Sequence, residues 1–196
     1  MNWLAHVFLS EPTVEFRLGN LLADLVRGDA RSAMSAEFLR GARCHKAIDA
    51  FTDSHPVVHR SRGRISPSHR RFSGVLTDIF YDYCLASEWE RYSPLPLDTF
   101  TSVFYAAAKR QPLDLPPDAR STLDRILEHD LLGQYRRIDG VENSLRRLSM
   151  YLARRWGRDF ALATAVQDLV AHKAVFAADF AEFFPELRTH VAQLDL

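Results

Sequence analysis

The sequence predicts an all-α fold in a single domain spanning 1–196, and three observations carry that reading. Apolar residues recur at the helical period through most of the chain. No segment shows the sustained alternation, β-branched runs and Asn-Gly turns that a sheet requires. The composition is globular, 47% hydrophobic and 26% charged over 196 residues, which is enough chain to bury a sizeable core.

A short helix is expected at 2–9, broken by Glu11-Pro12. A second runs from 14 to 27 and stops near Gly28. Ser35 is placed as the N-cap of a third, 35–53, which ends before the His55-Pro56 turn because an N-cap hydroxyl satisfies an orphan backbone N–H. A short helix is expected at 56–63. Pro67 at a helix start then opens a long one through VLTDIFYDYCLASEWERY, ended by Pro94 and Pro96. Helices at 97–109, 117–131, 140–156 and 159–184 complete the set, the last with room to continue past Pro185. Pro112, Pro116 and Pro117 form the best linker candidate, although both sides read as equally helical.

Formal net charge is zero, so no global field favours nucleic acid or an anionic membrane surface. The charge is uneven locally. Between Ser54 and Thr77 there is no carboxylate, yet Arg60, Arg62, Arg64, Arg70 and Arg71 all fall there. Arginine binds phosphate and carboxylate bidentately, so this stretch is a candidate dock for an anionic partner. Cys44 and Cys84 fit neither a zinc motif nor a disulfide framework and read as reduced thiols. The opening MNWLAHVFLSEP lacks a basic n-region and a span-length apolar run. A cytoplasmic protein with no membrane span is expected.

Polar residues four apart mark the candidate chemistry, because i and i+4 side chains are neighbours on a helix. His45, Asp49 and Asp53 follow one another at that spacing in RCHKAIDAFTD, and so do Asn2 and His6, Asn20 and Asp24, and Asp78 and Asp82. Asp78 and Asp82 repel if both are ionised on an apolar helix, so a cation must neutralise them: a metal, or Arg70 or Arg71. A solvated stripe is the plainer reading of the same pair. His6, among Trp3, Leu4, Val7 and Phe8, reads as a core histidine when taken alone. Imidazole with carboxylate suits Mn, Fe, Mg or Zn, and the clustering of six such residues before position 83 favours convergence in a helical bundle. Asp53 is expected to end its helix. In the C-terminal half, Glu128-His129-Asp130 reads as an exposed helix end, His172 as filler, and Phe176, Phe180, Phe183 and Phe184 as packing or an apolar slot. No Gly-rich phosphate loop or Ser-His-Asp arrangement is present.

MNWLAH, GNLLADLVRG, H-x-x-x-D-x-x-x-D before His-Pro, and D-x-x-x-D-x-x-L-x-x-x-W together resemble the acyl carrier protein phosphodiesterases. These ACP hydrolases look like divergent relatives of the HD-type metal-dependent phosphohydrolases. The resemblance implies an HD-like helical fold, Mn²⁺ or another divalent cation such as Mg²⁺ or Fe²⁺, and holo-acyl carrier protein, a small acidic protein, as substrate. It implies hydrolysis that releases 4′-phosphopantetheine and leaves the apo protein.

Carried over by motif, His6, Asp24, His45 and Asp78 are the expected metal ligands, with Asp49 and Asp82 as candidates for the general base. The five arginines become the dock for the acidic carrier. The family pattern commonly has His after the second aspartate, where this chain has Tyr83, and that change puts weight on Asp78. Two other readings compete: an HD-type phosphohydrolase acting on a nucleotide or small phosphate ester, and a helical module that binds an acidic partner without turnover.

Overall fold

The computed structural model describes residues 1–196 as ten α-helices joined by short loops and 3₁₀ turns, with no strand. The helices are α1 (Trp3–Phe8), α2 (Val14–Leu22), α3 (Gly28–Ser32), α4 (Ala36–Ser54), α5 (Pro56–Arg62), α6 (Ser73–Ser87), α7 (Leu97–Arg110), α8 (Pro117–Glu128), α9 (Ile138–Trp156) and α10 (Val166–Ala192). The all-α expectation holds, and several boundaries match for the reasons given. The Ser35 side chain accepts from Phe38 N at 3.2 Å and starts α4, and Pro56 opens α5. Gly157, at φ 67, takes the left-handed conformation that ends α9.

Three boundaries differ. The expected 14–27 helix stops at Leu22, and Asp24 sits in the turn beyond it, before the short α3. The single long helix expected from Pro67 to Tyr92 is a 3₁₀ segment at Pro67–Phe72, then α6, then a 3₁₀ turn at Trp89–Arg91. The last helix does not start at 159. Residues Leu162–Ala165 form a 3₁₀ turn, after which α10 runs through Pro185 to Ala192. Pro185 is exposed while Phe183, Phe184 and Leu187 are buried, so the backbone groups the ring disrupts lie toward solvent and the helix continues through it, its kink falling instead at His172.

One apolar core runs through the chain, with Phe176, Phe180, Phe183 and Phe184 fully inside it. Those phenylalanines pack rather than line a slot. The closest helix pair is α2 with α4, and two glycines explain it. A Cβ on Gly19 would lie 2.0 Å from Phe38 O, and one on Gly41 would lie 2.0 Å from Phe16 O. The two backbones therefore touch with no side chain between them, which brings Asn20 on α2 against His45 on α4. No helix is long and apolar enough to cross a membrane. Cys44 and Cys84 are both free and buried.

Candidate metal centre

The centre is built on α1, α2, α4 and α6, and Asn20 sets its geometry. Its side-chain nitrogen donates to His6 O and to Ser10 Oγ, each at 2.9 Å. That orientation leaves Asn20 Oδ1 as the acceptor 2.8 Å from His6 Nδ1. The Asn20 carbonyl, an acceptor by nature, lies 2.7 Å from His45 Nδ1. Both imidazoles therefore hold a proton on Nδ1 and turn Nε2 inward, the way hydrogen bonds from outside the site orient metal-ligating histidines. The rings stack with centroids 4.1 Å apart and planes 19° from parallel.

Asp49 lies between them. Its Oδ1 is 3.3 Å from His6 Nε2 and its Oδ2 is 3.1 Å from His45 Nε2. Asp24 Oδ2 approaches His45 Nε2 at 3.6 Å from the mouth, with its side chain 76% exposed. Asp78 joins from α6: its Oδ1 and Asp49 Oδ1 lie 3.4 and 3.3 Å from the Met1 amino group. The donor atoms of His6, His45 and Asp49 all fall within 4.8 Å of one another.

The donor set fits a cation. His45 Nε2 is buried with no hydrogen-bond partner, an expensive state that a bound positive charge relieves, and Asp78 Oδ1, buried and without a hydrogen bond, faces only the Met1 ammonium at 3.4 Å. His6 Nε2 also faces Met1 O at 3.1 Å, lone pair toward lone pair. Burial drives the His6 pKa down, keeping a neutral ligand. Burial also opposes charge on His45, but Asp24 and Asp49 outweigh it and push its pKa up to about 9. Those carboxylates favour a cationic ring, although neither makes an aligned hydrogen bond with Nε2. Burial disfavours the Asp49 anion as well, and the two imidazoles override it and hold its pKa far below the ordinary carboxylate range. Imidazole and carboxylate ligands suit a hard or borderline divalent ion.

The structure therefore brings together His6, Asp24, His45, Asp49 and Asp78. It takes Asp82 elsewhere. Asp82 is fully buried, and its two oxygens accept from Leu4 N at 2.7 Å and Ala5 N at 3.0 Å. It caps α1 from α6, where a helix N-terminus offers unpaired donors, while Asn2 at the cap position makes no side-chain cap bond. Burial raises its pKa to about 7, against the two backbone donors that favour the anion. With both oxygens engaged by backbone donors, it does not reach the centre as a base.

The expected arginine dock is also reassigned in part. Arg60 holds the buried Asp179 at 2.8 Å and also pairs with Glu182, and Arg64 meets Asp179 at 3.2 Å. Arg62 pairs with Asp53, which lies in the last turn of α4. Arg60 and Arg62 tie α5 to α10 and α4, and Arg64, just beyond α5, adds a second link to α10. Arg70 and Arg71 remain exposed and outside any ion pair, Arg71 lying over Trp156 at 5.2 Å. Asn20 was absent from the expected ligands and base. Its signal was a lone amide inside the apolar run GNLLADLV, which calls for a buried partner.

The fold and the centre together define a helical protein with a clustered His/Asp site suited to a divalent metal. The chain belongs to the family described as acyl carrier protein phosphodiesterase, which matches residues 1–187. Proteins of that name are similar to it along nearly their whole length. The one from Photorhabdus laumondii is 34% identical over 94% of this chain and 92% of its own. The one from Klebsiella pneumoniae is 33% identical over 95% of each chain, and that from Salmonella agona 30% over 98% of each. No solved structure is significantly similar to the chain.

Proposed function

We propose that this protein hydrolyses the phosphodiester joining 4′-phosphopantetheine to a serine of holo-acyl carrier protein. Water supplies a hydroxyl to phosphorus, the bond from phosphorus to the serine oxygen breaks, and the serine oxygen takes the proton. One observation carries the reading: two inward-facing Nε2 atoms and the Asp49 carboxylate share one point in a chain of this family. Manganese is the proposed ion, with Mg²⁺ or Fe²⁺ able to use the same donors. The helical His/Asp donors support an HD-like reading of the domain 1–196. Two buried free thiols and the lack of a membrane-spanning helix support a cytoplasmic location.

In this reading His6, His45, Asp49 and Asp78 hold the cation. When bound, it supplies Lewis-acid polarisation of the phosphoryl oxygens and acidifies water. Asn20 keeps both imidazoles in the ligating tautomer. Asp24, exposed at the mouth and 3.6 Å from His45, accepts the water proton, since a base must face both solvent and the reacting group. Asp49, expected as a base, is here a ligand because both its oxygens face imidazole nitrogens. The two roles separate experimentally: Asp24→Asn retains Mn²⁺ binding, followed by the electron paramagnetic resonance of free Mn²⁺, and loses turnover. Asp49→Asn loses both. Equal loss of Mn²⁺ binding in the two variants would make Asp24 a ligand.

The function itself is tested by intact-mass spectrometry of holo-acyl carrier protein incubated with this protein and Mn²⁺, or with EDTA. The expected result is loss of the phosphopantetheine mass with Mn²⁺ and none with EDTA. A carrier left intact, while a small phosphate ester is hydrolysed, would replace the reading with that of a small-substrate phosphohydrolase. Binding with no turnover of either would make the protein a binding module.

A further inference from the structure

The chain has a second long stretch without a carboxylate. Residues 143–158, NSLRRLSMYLARRWGR, carry five arginines and no Asp or Glu. This stretch is most of α9, and it meets the first one. Arg71 lies over the Trp156 ring at 5.2 Å and the Phe160 ring at 6.0 Å, and Phe72 packs edge-on against Phe160 at 5.0 Å.

Of the α9 arginines, only Arg146 has an acidic partner, Glu142 at 2.7 Å. Arg147, Tyr151 and Arg155 recur every fourth residue and form one stripe along the helix. Arg155 donates to Tyr151 Oη at 3.3 Å, and Arg147 donates to Ser144 Oγ at 3.0 Å. At its upper end the helix packs on the 3₁₀ turn Gly133–Arg136, whose buried Tyr135 hydroxyl accepts from Asn2 at 2.6 Å, at the start of the helix carrying His6. The lower end reaches Arg71 and Trp156, just ahead of α6, which carries Asp78.

The same helix shows apolar surface: Met150, Tyr151 and Trp156 are 49%, 55% and 47% exposed. Arginines without acidic partners beside exposed aromatic rings make a positive, partly apolar surface. Tyr, Trp and Arg are the residue types that anchor interfaces, and a carboxylate-rich surface is the complement of this one.

We propose that the α9 stripe of Arg147, Tyr151 and Arg155, continued around the end of the helix by Trp156 and Arg71, docks the body of the acidic carrier protein. The inference rests on the proposed function for its choice of partner. In holo-carrier the scissile phosphodiester is one side chain away from the carrier's backbone. The carrier's surface must therefore rest near the centre, and the helix bearing this stripe packs on the turn whose Tyr135 holds Asn2 at the start of α1.

The test is the double variant Arg155→Glu/Trp156→Ala in steady-state kinetics on holo-carrier protein across a range of salt. Expected are a KM raised at least about tenfold with kcat held within about threefold, and a flatter salt dependence of kcat/KM, because rim charges act mainly on encounter. Both positions are exposed at the helix end. If the double variant melts early, Arg147→Gln with Arg155→Gln reads the same loss of charge. Wild-type KM and salt dependence in a folded variant would overturn the dock. If the wild type releases no phosphopantetheine, the proposed function fails and the dock is read separately, by binding to apo-carrier protein. Salt-sensitive binding that the variant loses supports it, and no binding overturns it.

Discussion

His45→Ala is expected to lower turnover of holo-carrier protein at least about a thousandfold, near 4 kcal/mol of transition-state stabilisation. The residue is central in three ways at once. Its Nδ1 is fixed by the Asn20 carbonyl at 2.7 Å, its Nε2 faces Asp49 at 3.1 Å and Asp24 at 3.6 Å, and its ring stacks on His6. In the proposed centre, removing it takes away a ligand and leaves the carboxylates without the imidazole beside them. A second readout does not depend on activity. Mn²⁺ should raise the melting temperature of the wild type, because an ion that binds only the folded state stabilises it by mass action. The variant should melt at one temperature with or without Mn²⁺, its helical circular dichroism largely retained. Activity within tenfold of wild type, or an undiminished Mn²⁺ shift, would remove His45 from the centre.

Gly41→Ala should destabilise the fold by about 2–3 kcal/mol, a fall of roughly 4–12 °C in melting temperature for a chain of this size. Helix propensity alone argues the opposite, since Ala is favoured over Gly inside a helix by about 1 kcal/mol. Contact decides the sign. The added Cβ would meet Phe16 O at 2.0 Å and Asn20 N at 2.9 Å, both backbone atoms with no rotamer by which to yield. The helices must separate, and the hydrogen bond from His45 Nδ1 to Asn20 O is the first functional contact to stretch. Gly19→Ala meets Phe38 O at 2.0 Å and should act alike. A melting temperature at or above wild type for both variants would show that α2 and α4 do not pack backbone to backbone.

Much of the centre is legible from local spacing. His45 and Asp49 are four apart, and α4 does place them on one face. His6 was ambiguous because a buried histidine among Trp3, Leu4 and Val7 satisfies either reading. The tie comes from Asn20, 14 residues away. Asp78 and Asp82 show the limit of the argument. They share a face of α6, yet one meets the centre and the other caps α1, because that face crosses two different neighbours within a single turn. The five arginines between Ser54 and Thr77 divide in the same way. Arg60 and Arg64 are drawn to Asp179, which lies 115 or more residues along the chain, so no local window shows that their charge is already balanced.

By itself the sequence determined the helical class, the cap at Ser35 and the start of α5 at Pro56, and the residue types from which a hard metal site is made. These follow from the 3.6-residue period, from the need of helix ends for partners, and from the chemistry of imidazole and carboxylate. Tertiary structure alone decided that α2 and α4 touch at Gly19 and Gly41, that Asn20 orients both imidazoles, and that Asp82 serves α1. It also set α9 beside the arginines of the 3₁₀ segment before α6. Periodicity states which side chains share a face. What that face meets is set by contacts between distant segments, whose distances and directions no local spacing contains.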